Sequence, residues 1–454
     1  MQEKIKIASG QGFWGDLIDA PYYQVTKGDI DYLVMDYLAE VTMSILQKQK
    51  NKNPELGYAK DIPDLMKRLL PITTRKKIKI ITNGGGVNPI ACAKAVKKVA
   101  QELGISELKI GIVLGDDISN QIDELLNNNA QLNNMETGES IVLIKDKILS
   151  ANVYFGAFPI VEALQKGADI VITGRTTDTG LTLAPMIYEF GWNKNNFDLL
   201  AAGTVAGHIL ECGAQASGGN FLGDWQSIPN MAEIGFPIAE AYPNGEFIIT
   251  KHQNTGGKVS FQTVAEQLVY EIGDPELYIT PDCVADFTSI KLKDLGNDRV
   301  RVYNIKGKQD TEFYKVSCSY SDGYFSSATL TYSWPQALTK AKAADEILRK
   351  RLSNLNLQFD EIRTEFIGYN STHGPLATLL DEDRINEIML RIAVRSHDYN
   401  SVERFGKEIA PLILTGPPSV TGFSGGRPKP SEVVAYWPAL ISKKLVNPKV
   451  EILE

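Results

Sequence analysis

The first half of the chain alternates short apolar runs, rich in β-branched residues, with stretches that carry a helical pattern. Nearly continuous apolar runs are typical of strands buried on both faces. These runs cover residues 4–8, 32–35, 77–82, 108–114 and 169–173. The stretches between them predict helices over residues 42–49, 62–70, 90–103 and 160–166. Strands that alternate with helices form parallel sheets, either open or closed into a barrel, and we expect an α/β fold with an open, doubly wound sheet.

The pattern changes after about residue 226, where strand-like runs follow one another across turns and long helical stretches become fewer. This order is typical of antiparallel pairs in an α+β domain. A chain of 454 residues is also too long for one ordinary core. We therefore predict an α/β domain over residues 1–225 and an α+β domain over residues 226–454. Within the second domain, residues 415–430 are rich in proline and glycine, which predicts a surface linker or a lid over the site.

Charge and composition exclude several classes of protein. The net charge is −8 at pH 7, whereas a nucleic-acid binder needs a basic face. No apolar run reaches the length of about 18 residues that crosses a bilayer, and the start lacks the apolar core of a signal peptide. The four cysteines lie far apart, without the spacing of a zinc site. We expect a cytoplasmic protein that binds neither nucleic acid nor membrane, with a homo-oligomer as its default assembly.

Residues 10–15 match the GxGxxG pattern of dinucleotide-binding folds just after a predicted strand. The dinucleotide-binding pattern requires a long helix directly after the glycines, whereas Pro21, a few residues later, would interrupt such a helix. Phe13 and Trp14 also stand where small residues would allow a pyrophosphate to approach. We therefore expect a loop at the carboxyl edge of the sheet, with Asp16 facing the ligand, rather than a nucleotide site.

The turn after the third predicted strand consists of Asn83, Gly84, Gly85 and Gly86. Because a helix is predicted to begin near Pro89, the amides of this turn and the helix dipole suit an anion. The turn lacks the lysine of a P-loop, so nucleotide hydrolysis is not implied. The sequence predicts either an anion cradle or a flexible strand-to-helix turn.

The loop after the fifth predicted strand contains Arg175 and Asp178. A guanidinium group offers a fork suited to a carboxylate or a phosphate, and Asp178 would orient it or act as a base. The alternative is a structural pair that caps the next helix. Because ligands bind at the carboxyl edge of open parallel sheets, we expect this loop to meet those of Asp16 and Asn83.

The segment over residues 203–225 concentrates ionisable side chains among glycines. His208 and Glu211 are three residues apart and share one face of a predicted helix. They fit a general acid–base couple, a structural pair, or two metal ligands that carboxylates would complete. Cys212 is either a nucleophile or a buried structural cysteine. We add Asp224 as a catalytic candidate and Gln215 as a substrate-binding one.

A polar, glycine-bearing loop over residues 251–257 follows another predicted strand. Its length suits a loop that reaches a ligand, and we expect His252, Thr255, Gly256 and Gly257 to contact the substrate. Glu271, in contrast, lies in a segment that predicts a turn.

Several blocks, taken in order, resemble one family. They are GQGFWGD, NGGGVNP, VITGRTTD, AGHILECGAQASGGNFLGDW, GFPIAE, NTGGKVS and QLVYEIGDPELYITPD. The chain resembles the acyclic terpene utilisation protein AtuA and its relatives, strongly from about residue 4 to the region of residue 282 and more diffusely beyond. The family's namesake is encoded with enzymes that degrade citronellol and geraniol through acyl-CoA thioesters. Some relatives carry an additional small C-terminal domain, so the resemblance leaves open a small partner subunit here.

From these residues and this resemblance we expect an enzyme that acts on a branched or acyclic-terpenoid acyl-CoA. Its chemistry would be addition, elimination or C–C cleavage by acid/base catalysis, with a CoA thioester as substrate and without a redox cofactor or metal. His208 and Glu211 would act near the acyl α-carbon, glycine-loop amides would bind the thioester oxygen, and the Asn83–Gly86 turn with Arg175 would hold phosphates. The alternatives are a non-catalytic subunit that binds a ligand or stabilises a partner, and a metal-dependent hydrolase or lyase.

Overall fold

The computed structural model describes residues 2–378, 381–422 and 426–454. These residues form two compact units, one built from the chain up to Ser319 together with Tyr436–Glu454, the other from Tyr320–Ala435. The strands are β1 (Ile5–Gln11), β2 (Tyr32–Met35), β3 (Lys79–Thr82), β4 (Ile110–Leu114), β5 (Ile148–Val153), β6 (Ile170–Thr173), β7 (Ile238–Ala241), β8 (Phe247–Thr250), β9 (Tyr278–Ile279), β10 (Val284–Asp286), β11 (Lys291–Asp294), β12 (Val300–Tyr303), β13 (Lys306–Lys308), β14 (Phe313–Ser333), β15 (Glu361–Ile367), β16 (Glu387–Ser396), β17 (Val420–Thr421), β18 (Ser431–Ser442) and β19 (Lys449–Leu453).

The helices agree well with the predicted stretches in the first half. The helix starting near Pro89 is confirmed, because the Asn88 side chain accepts a hydrogen bond from the amide of Ala91 and caps it. The helices of both units are α1 (Ala20–Thr26), α2 (Glu40–Lys52), α3 (Ile62–Lys76), α4 (Pro89–Glu102), α5 (Ile122–Asn127), α6 (Phe158–Gln165), α7 (Gly180–Phe190), α8 (Phe197–Glu211), α9 (Phe261–Val269), α10 (Ala337–Asn354), α11 (Tyr399–Ile409) and α12 (Leu412–Thr415). None of the described helices is long and apolar enough to span a membrane.

The first unit is built on a ten-stranded sheet with the order β11-β12-β8-β7-β1-β2-β3-β6-β4-β19. The five central strands β1, β2, β3, β6 and β4 pair in parallel, which confirms the α/β class and the parallel sheet. The remaining pairs are antiparallel. The order is linear, so the sheet is open rather than a barrel.

Successive residues of the parallel strands enter two different hydrophobic clusters. On β2, Val34 packs into the cluster that contains α7 and α8, whereas Leu33 packs into the cluster that contains α3 and α4. Because side chains alternate between the faces of a strand, each face of the sheet carries its own core. This double burial explains why these strands are nearly continuous apolar runs in the sequence.

The division of the structure differs from the boundary predicted after residue 225. Strands β7, β8, β11 and β12 lie beyond that residue, yet they extend the same sheet past β1 by antiparallel pairing.

A second difference concerns Pro21, which was predicted to interrupt a helix and instead occupies the first turn of α1. Proline is tolerated there because its missing N–H would have no partner within the helix.

The second unit contains the antiparallel order β15-β16-β14-β17, as predicted for the later part of the chain. Leu338 and Leu348 of α10 and Phe405 of α11 pack into one core with this sheet. The segment 415–430 includes the short strand β17 at the end of that order. Its residues 423–425 lie outside the described part of the chain, so its predicted role as a linker or lid stays a prediction.

Candidate functional site

A polar side chain follows each of the five parallel strands, and these strands all end at the same edge of the sheet. The residues concerned are Asp16 after β1, Asp36 after β2, Asn83 after β3, Asp116 after β4 and Arg175 after β6. Crevices at the carboxyl edge of parallel strands are where open α/β folds bind ligands. The predicted meeting of the loops after these strands at one edge is therefore supported by the sheet order.

Asn83 is buried and ties two strands together. Its Oδ1 accepts a hydrogen bond from the amide of Tyr37 at 2.8 Å, and its Nδ2 donates to Oδ1 of Asp36 at 2.6 Å. Burial, together with the negative charge of Asp178, raises the pKa of Asp36 well above its ordinary value. Asn83 thus positions a carboxyl group at the sheet edge rather than contacting a ligand through a free amide.

Arg175 is buried, and its charge is already compensated. Its Nη1 donates to Oδ1 of Asp178 at 2.6 Å and to the carbonyl of Thr176 at 2.9 Å, and its guanidinium lies 4.1 Å from the centre of the Tyr154 ring. Its backbone amide donates to Asp116. The pair predicted as an alternative to a phosphate site is therefore present, and it holds Asp178 in place.

His208 and Glu211 do share one face of α8, as predicted. Nδ1 of His208 lies 2.8 Å from Oε1 of Glu211, within the distance of an ion pair. Nε2 of His208 lies 2.9 Å from the carbonyl oxygen of Gln267, and the Gln267 side chain donates back to the carbonyl of His208. The ring is buried and held from both sides, so its orientation is set before any ligand binds.

The two groups of this pair shift each other's ionisation. Burial by itself would lower the pKa of His208, but the charge of Glu211 and the contact to Gln267 outweigh it and raise the pKa. Burial raises the pKa of Glu211, and the neighbouring His208 opposes that rise. A carboxyl group with a raised pKa beside an imidazole is suited to exchange protons near neutral pH.

A cavity of about 570 Å³ opens where these elements meet, and we call it the acidic pocket. It is lined by five carboxyl side chains together with Phe13, Leu38, Cys212, Gln215 and Tyr270 among others. The five are Asp16, Asp36, Asp178, Glu211 and Glu271. The structure thus brings together four predicted residues, Asp16, Asp178, Glu211 and Gln215, with His208 buried directly behind Glu211.

Close packing of the backbone creates this arrangement. A Cβ at Gly12 would lie 2.9 Å from the backbone carbon of Cys212, so only glycine lets the loop after β1 approach the end of α8. The carboxylate of Asp16 then accepts hydrogen bonds from the amides of Gly12 and Leu17, which fixes it at the pocket wall. Burial raises the pKa of the Cys212 thiol to about 12, so this cysteine is not an activated nucleophile.

A second cavity of about 580 Å³, which we call the apolar pocket, adjoins the first. Both cavities are lined in part by Phe13 and Asp16. The predicted residues His252 and Thr255 line the apolar pocket rather than the acidic one. Nε2 of His252 lies 2.9 Å from the carbonyl oxygen of Gln24, and burial lowers the pKa of the ring.

The predicted anion cradle at Asn83–Gly86 is not open to a ligand. The amide of Gly84 donates to the Thr82 hydroxyl and that of Gly86 to the carbonyl of Asn83. A Cβ at Gly85 would lie 2.5 Å from the carbonyl oxygen of Thr173, so this glycine serves close packing. The amides of Gly84 and Gly86 and the Nη atoms of Arg175 thus have partners within the chain, whereas the buried Nε of Arg175 has none. The phosphate-binding role expected for this turn and Arg175 stays a prediction.

Three further candidates also lie away from the acidic pocket. The amide of Gly256 donates to the carbonyl of Glu233 and that of Gly257 to the carbonyl of Pro229, so neither is free for a substrate. Asp224 is exposed at the start of a short turn and lines neither pocket. Its neighbour Trp225 is likewise exposed, because this segment continues past the end of α8 onto the surface.

The sequence analysis gave no site role to three acidic residues that lie at the sheet edge or in the acidic pocket. Asp36 and Asp116 directly follow the ends of parallel strands, the same signal that identified Asp16 and Arg175, and applying it to every strand would have found them. Glu271 lies in a segment predicted as a turn, and only the packing of α9 against the end of α8 brings it to the pocket. Over the described ranges, no group of three or more His, Cys, Asp or Glu side chains is arranged to hold a metal ion.

Comparison with known proteins agrees with the blocks noted in the sequence. A family profile described as "Acyclic terpene utilisation family protein AtuA" matches residues 5–452. No curated protein and no solved structure gives a significant match. Because the profile covers nearly the whole length of the chain, both units included, the chain belongs to the AtuA family of acyclic terpene utilisation proteins.

Proposed function

We propose that this protein is an enzyme of acyclic terpene utilisation that performs general acid/base chemistry on a branched or terpenoid acyl-CoA thioester. The reaction class is addition, elimination or C–C cleavage without a redox cofactor. The observation that carries the proposal is Glu211, a pocket-lining carboxyl group with a raised pKa that His208 backs at 2.8 Å. Such a pair can remove a proton from carbon or oxygen and return it elsewhere.

The charge of the acidic pocket supports an uncharged reacting group. Five carboxyl side chains line the cavity, and Arg175, which contacts one of them, is already paired with that residue, Asp178. A free carboxylate or a phosphate would meet like charge there. A thioester carbonyl, in contrast, brings no charge, and the phosphates of the CoA part would lie outside this pocket.

Gln215 is the group best placed to polarise the substrate oxygen. It lines the acidic pocket, and its Nε2 uses one hydrogen to donate to Oε1 of Gln267, which leaves a second hydrogen for a ligand. Gln267 also holds His208, so one buried residue positions both the base and the donor. A donor that is fixed before the reaction stabilises developing negative charge on oxygen.

Replacing Glu211 by glutamine tests the proposal. We expect Glu211→Gln to lower turnover of citronellyl-CoA or geranyl-CoA by about 10²–10⁴-fold, because the amide keeps the shape but cannot exchange a proton. Glu276→Gln is the matched control, since Glu276 is exposed and lines neither pocket, and it is expected to keep the wild-type rate.

Two results would contradict the proposal. A Glu211→Gln protein that turns over substrate at the wild-type rate removes the acid/base assignment. A wild-type protein whose melting temperature rises with these thioesters, but which converts none of them, is a binding subunit rather than an enzyme.

A chelator tests the metal-dependent alternative, and turnover is expected to survive it. Turnover that the chelator abolishes, in a protein that elemental analysis shows to hold a stoichiometric metal, would favour a metal-dependent lyase.

A further inference from the structure

The apolar pocket is framed by large apolar side chains that the fold leaves exposed. Phe13 is 57% exposed, Leu17 51%, Ile18 70% and Tyr23 48%, and all four come from the loop after β1 and the start of α1. Single exposed apolar residues are common, but a group gathered around one cavity marks a binding site. An occupant of the cavity would remove these side chains from water, which is favourable for apolar surface.

The inner wall of this pocket is also largely uncharged. Phe236 and Ile234 belong to the segment that precedes β7, and the ring of His252 lies beside them with its Nε2 held by the carbonyl of Gln24. Charged side chains such as Lys27 and Glu233 are exposed at the rim. An apolar body with a polar rim fits a hydrocarbon ligand that enters from solvent.

The position of the pocket indicates which part of a ligand it takes. Phe13 and Asp16 line both cavities, and hydrogen bonds from the amides of Gly12 and Leu17 fix the Asp16 carboxylate between them. A ligand that occupies both cavities would therefore place an apolar portion on one side of Asp16 and a polar portion on the other. The volume of about 580 Å³ is within the range of ordinary ligand sites, about 300–1,000 Å³.

We infer that the apolar pocket binds the branched hydrocarbon tail of the substrate, while its reacting group enters the acidic pocket. This inference rests on the proposed function and names a subsite for it. Tail and reacting group are thus separated by Asp16, and substrate length is selected in one cavity while chemistry occurs in the other. Affinity is then expected to rise by about fourfold for each methylene group that the pocket buries.

Binding of uncharged alcohols tests the subsite without catalysis. Calorimetry with hexanol, octanol and citronellol is expected to show Kd falling with chain length, with citronellol binding most tightly. Ile18→Asp is expected to weaken citronellol binding by about tenfold or more, because a charge replaces an apolar wall. Ile18 is 70% exposed, so this change leaves folding intact. Leu222→Asp is the matched control, since Leu222 is 87% exposed and lines neither pocket.

The outcomes separate this inference from the proposed function. Alcohol affinity that does not depend on chain length, or that Ile18→Asp leaves unchanged, overturns the subsite even when Glu211→Gln abolishes turnover. Chain-length dependence that is lost in Ile18→Asp supports the subsite even when no thioester is converted. If Ile18→Asp instead turns a dimer into a monomer, as measured by sedimentation, without changing citronellol affinity, the exposed group is a contact between copies and the inference is wrong.

Discussion

Burial sets the ionisation of single carboxyl groups around the sheet edge. Asp116 accepts hydrogen bonds from the amide of Arg175 and from Nδ2 of Asn152, yet its burial raises its pKa from 3.8 to about 7. Asp282 accepts from the amide of Ala157 and has a pKa raised to about 6 for the same reason. Hydrogen bonds thus offset only part of the free energy lost by removing these carboxylates from water.

This ionisation predicts how stability depends on pH. Because the pKa of Asp116 is higher in the folded state, the folded protein holds its proton between pH 3.8 and about 7 while the unfolded chain releases it. The stabilisation that this proton gives the folded protein is complete below pH 3.8 and is lost as pH rises toward 7. Over that range the free energy of unfolding falls by at most about 1.4 kcal/mol per pH unit. We expect Asp116→Asn to flatten this decline, as measured by urea unfolding at several pH values.

Asp64→Asn is the control for that measurement, because the Asp64 side chain is 84% exposed. It is expected to keep the wild-type dependence on pH. A decline that is equally steep in Asp116→Asn would show that Asp116 is not the group that titrates. Asp36, Glu211 and Asp282 are unchanged in both variants, and because burial raises the pKa of each, they contribute to the slope that remains.

Among the elements, the close crossing of α7 and α8 places the His208–Glu211 pair. A Cβ at Gly207 would lie 2.5 Å from the carbonyl oxygen of Thr179 and 2.6 Å from its Cα, so the α8 backbone lies directly against the start of α7. Thr179 follows Asp178, the carboxylate that pairs with Arg175. Small residues on α8 therefore bring Glu211 and Asp178 to one pocket, and this explains why glycines are tolerated in the middle of a helix.

We predict that Gly207→Ala destabilises the protein by about 1–3 kcal/mol, because the new methyl group meets backbone that cannot move away. Gly203→Ala is the matched control one turn earlier on α8. There the nearest atom, at 2.4 Å, is Cδ1 of Leu183, the end of a flexible side chain. The gain in helix propensity on replacing glycine, about 1 kcal/mol, is expected to offset that contact. Equal free energies of unfolding for the two variants in urea would contradict the close crossing.

For the whole molecule, the last strand completes a sheet whose first strand lies near the start of the chain. β19 pairs antiparallel with β4 and covers the end of the parallel sheet. Val450 and Ile452 pack against the core that contains α7 and α8, whereas Leu453 packs against the other core. Without this strand the edge of β4 would present unpaired backbone groups.

We predict that Ile452→Lys lowers the free energy of unfolding by about 1–2 kcal/mol, because the side chain is half-buried and full burial would contribute about 1.5–3 kcal/mol. Glu451→Lys, at the neighbouring exposed position, is expected to change it by less than about 0.5 kcal/mol. Urea unfolding of both variants provides the measurement. An Ile452→Lys protein as stable as the wild type would show that β19 does not stabilise the sheet.

Much of this fold was predictable because local signals and burial agree. The predicted strand over residues 32–35 and the helix beginning near Pro89 were confirmed within a residue or so, since a doubly buried strand and a capped helix each leave a local mark. The doubly wound arrangement and the catalytic roles of His208 and Glu211 stay predictions. The boundary expected after residue 225 failed to match the structure because β7 and β8 join the first sheet across a long separation in sequence.

The sequence by itself determined the family, the α/β class and the loops that follow the parallel strands, because strand periodicity, glycine turns and motif order are local properties. Only the tertiary structure decided which of those loops meet as a site. Asn83, Gly84 and Arg175 were predicted to hold phosphates, but Nδ2 of Asn83 donates to Asp36, the amide of Gly84 to Thr82 and Nη1 of Arg175 to Asp178. Glu271 was predicted to lie in a turn, yet it lines the acidic pocket. Whether a polar group is free, paired or buried depends on neighbours distant in sequence, and that information exists only once the chain is packed.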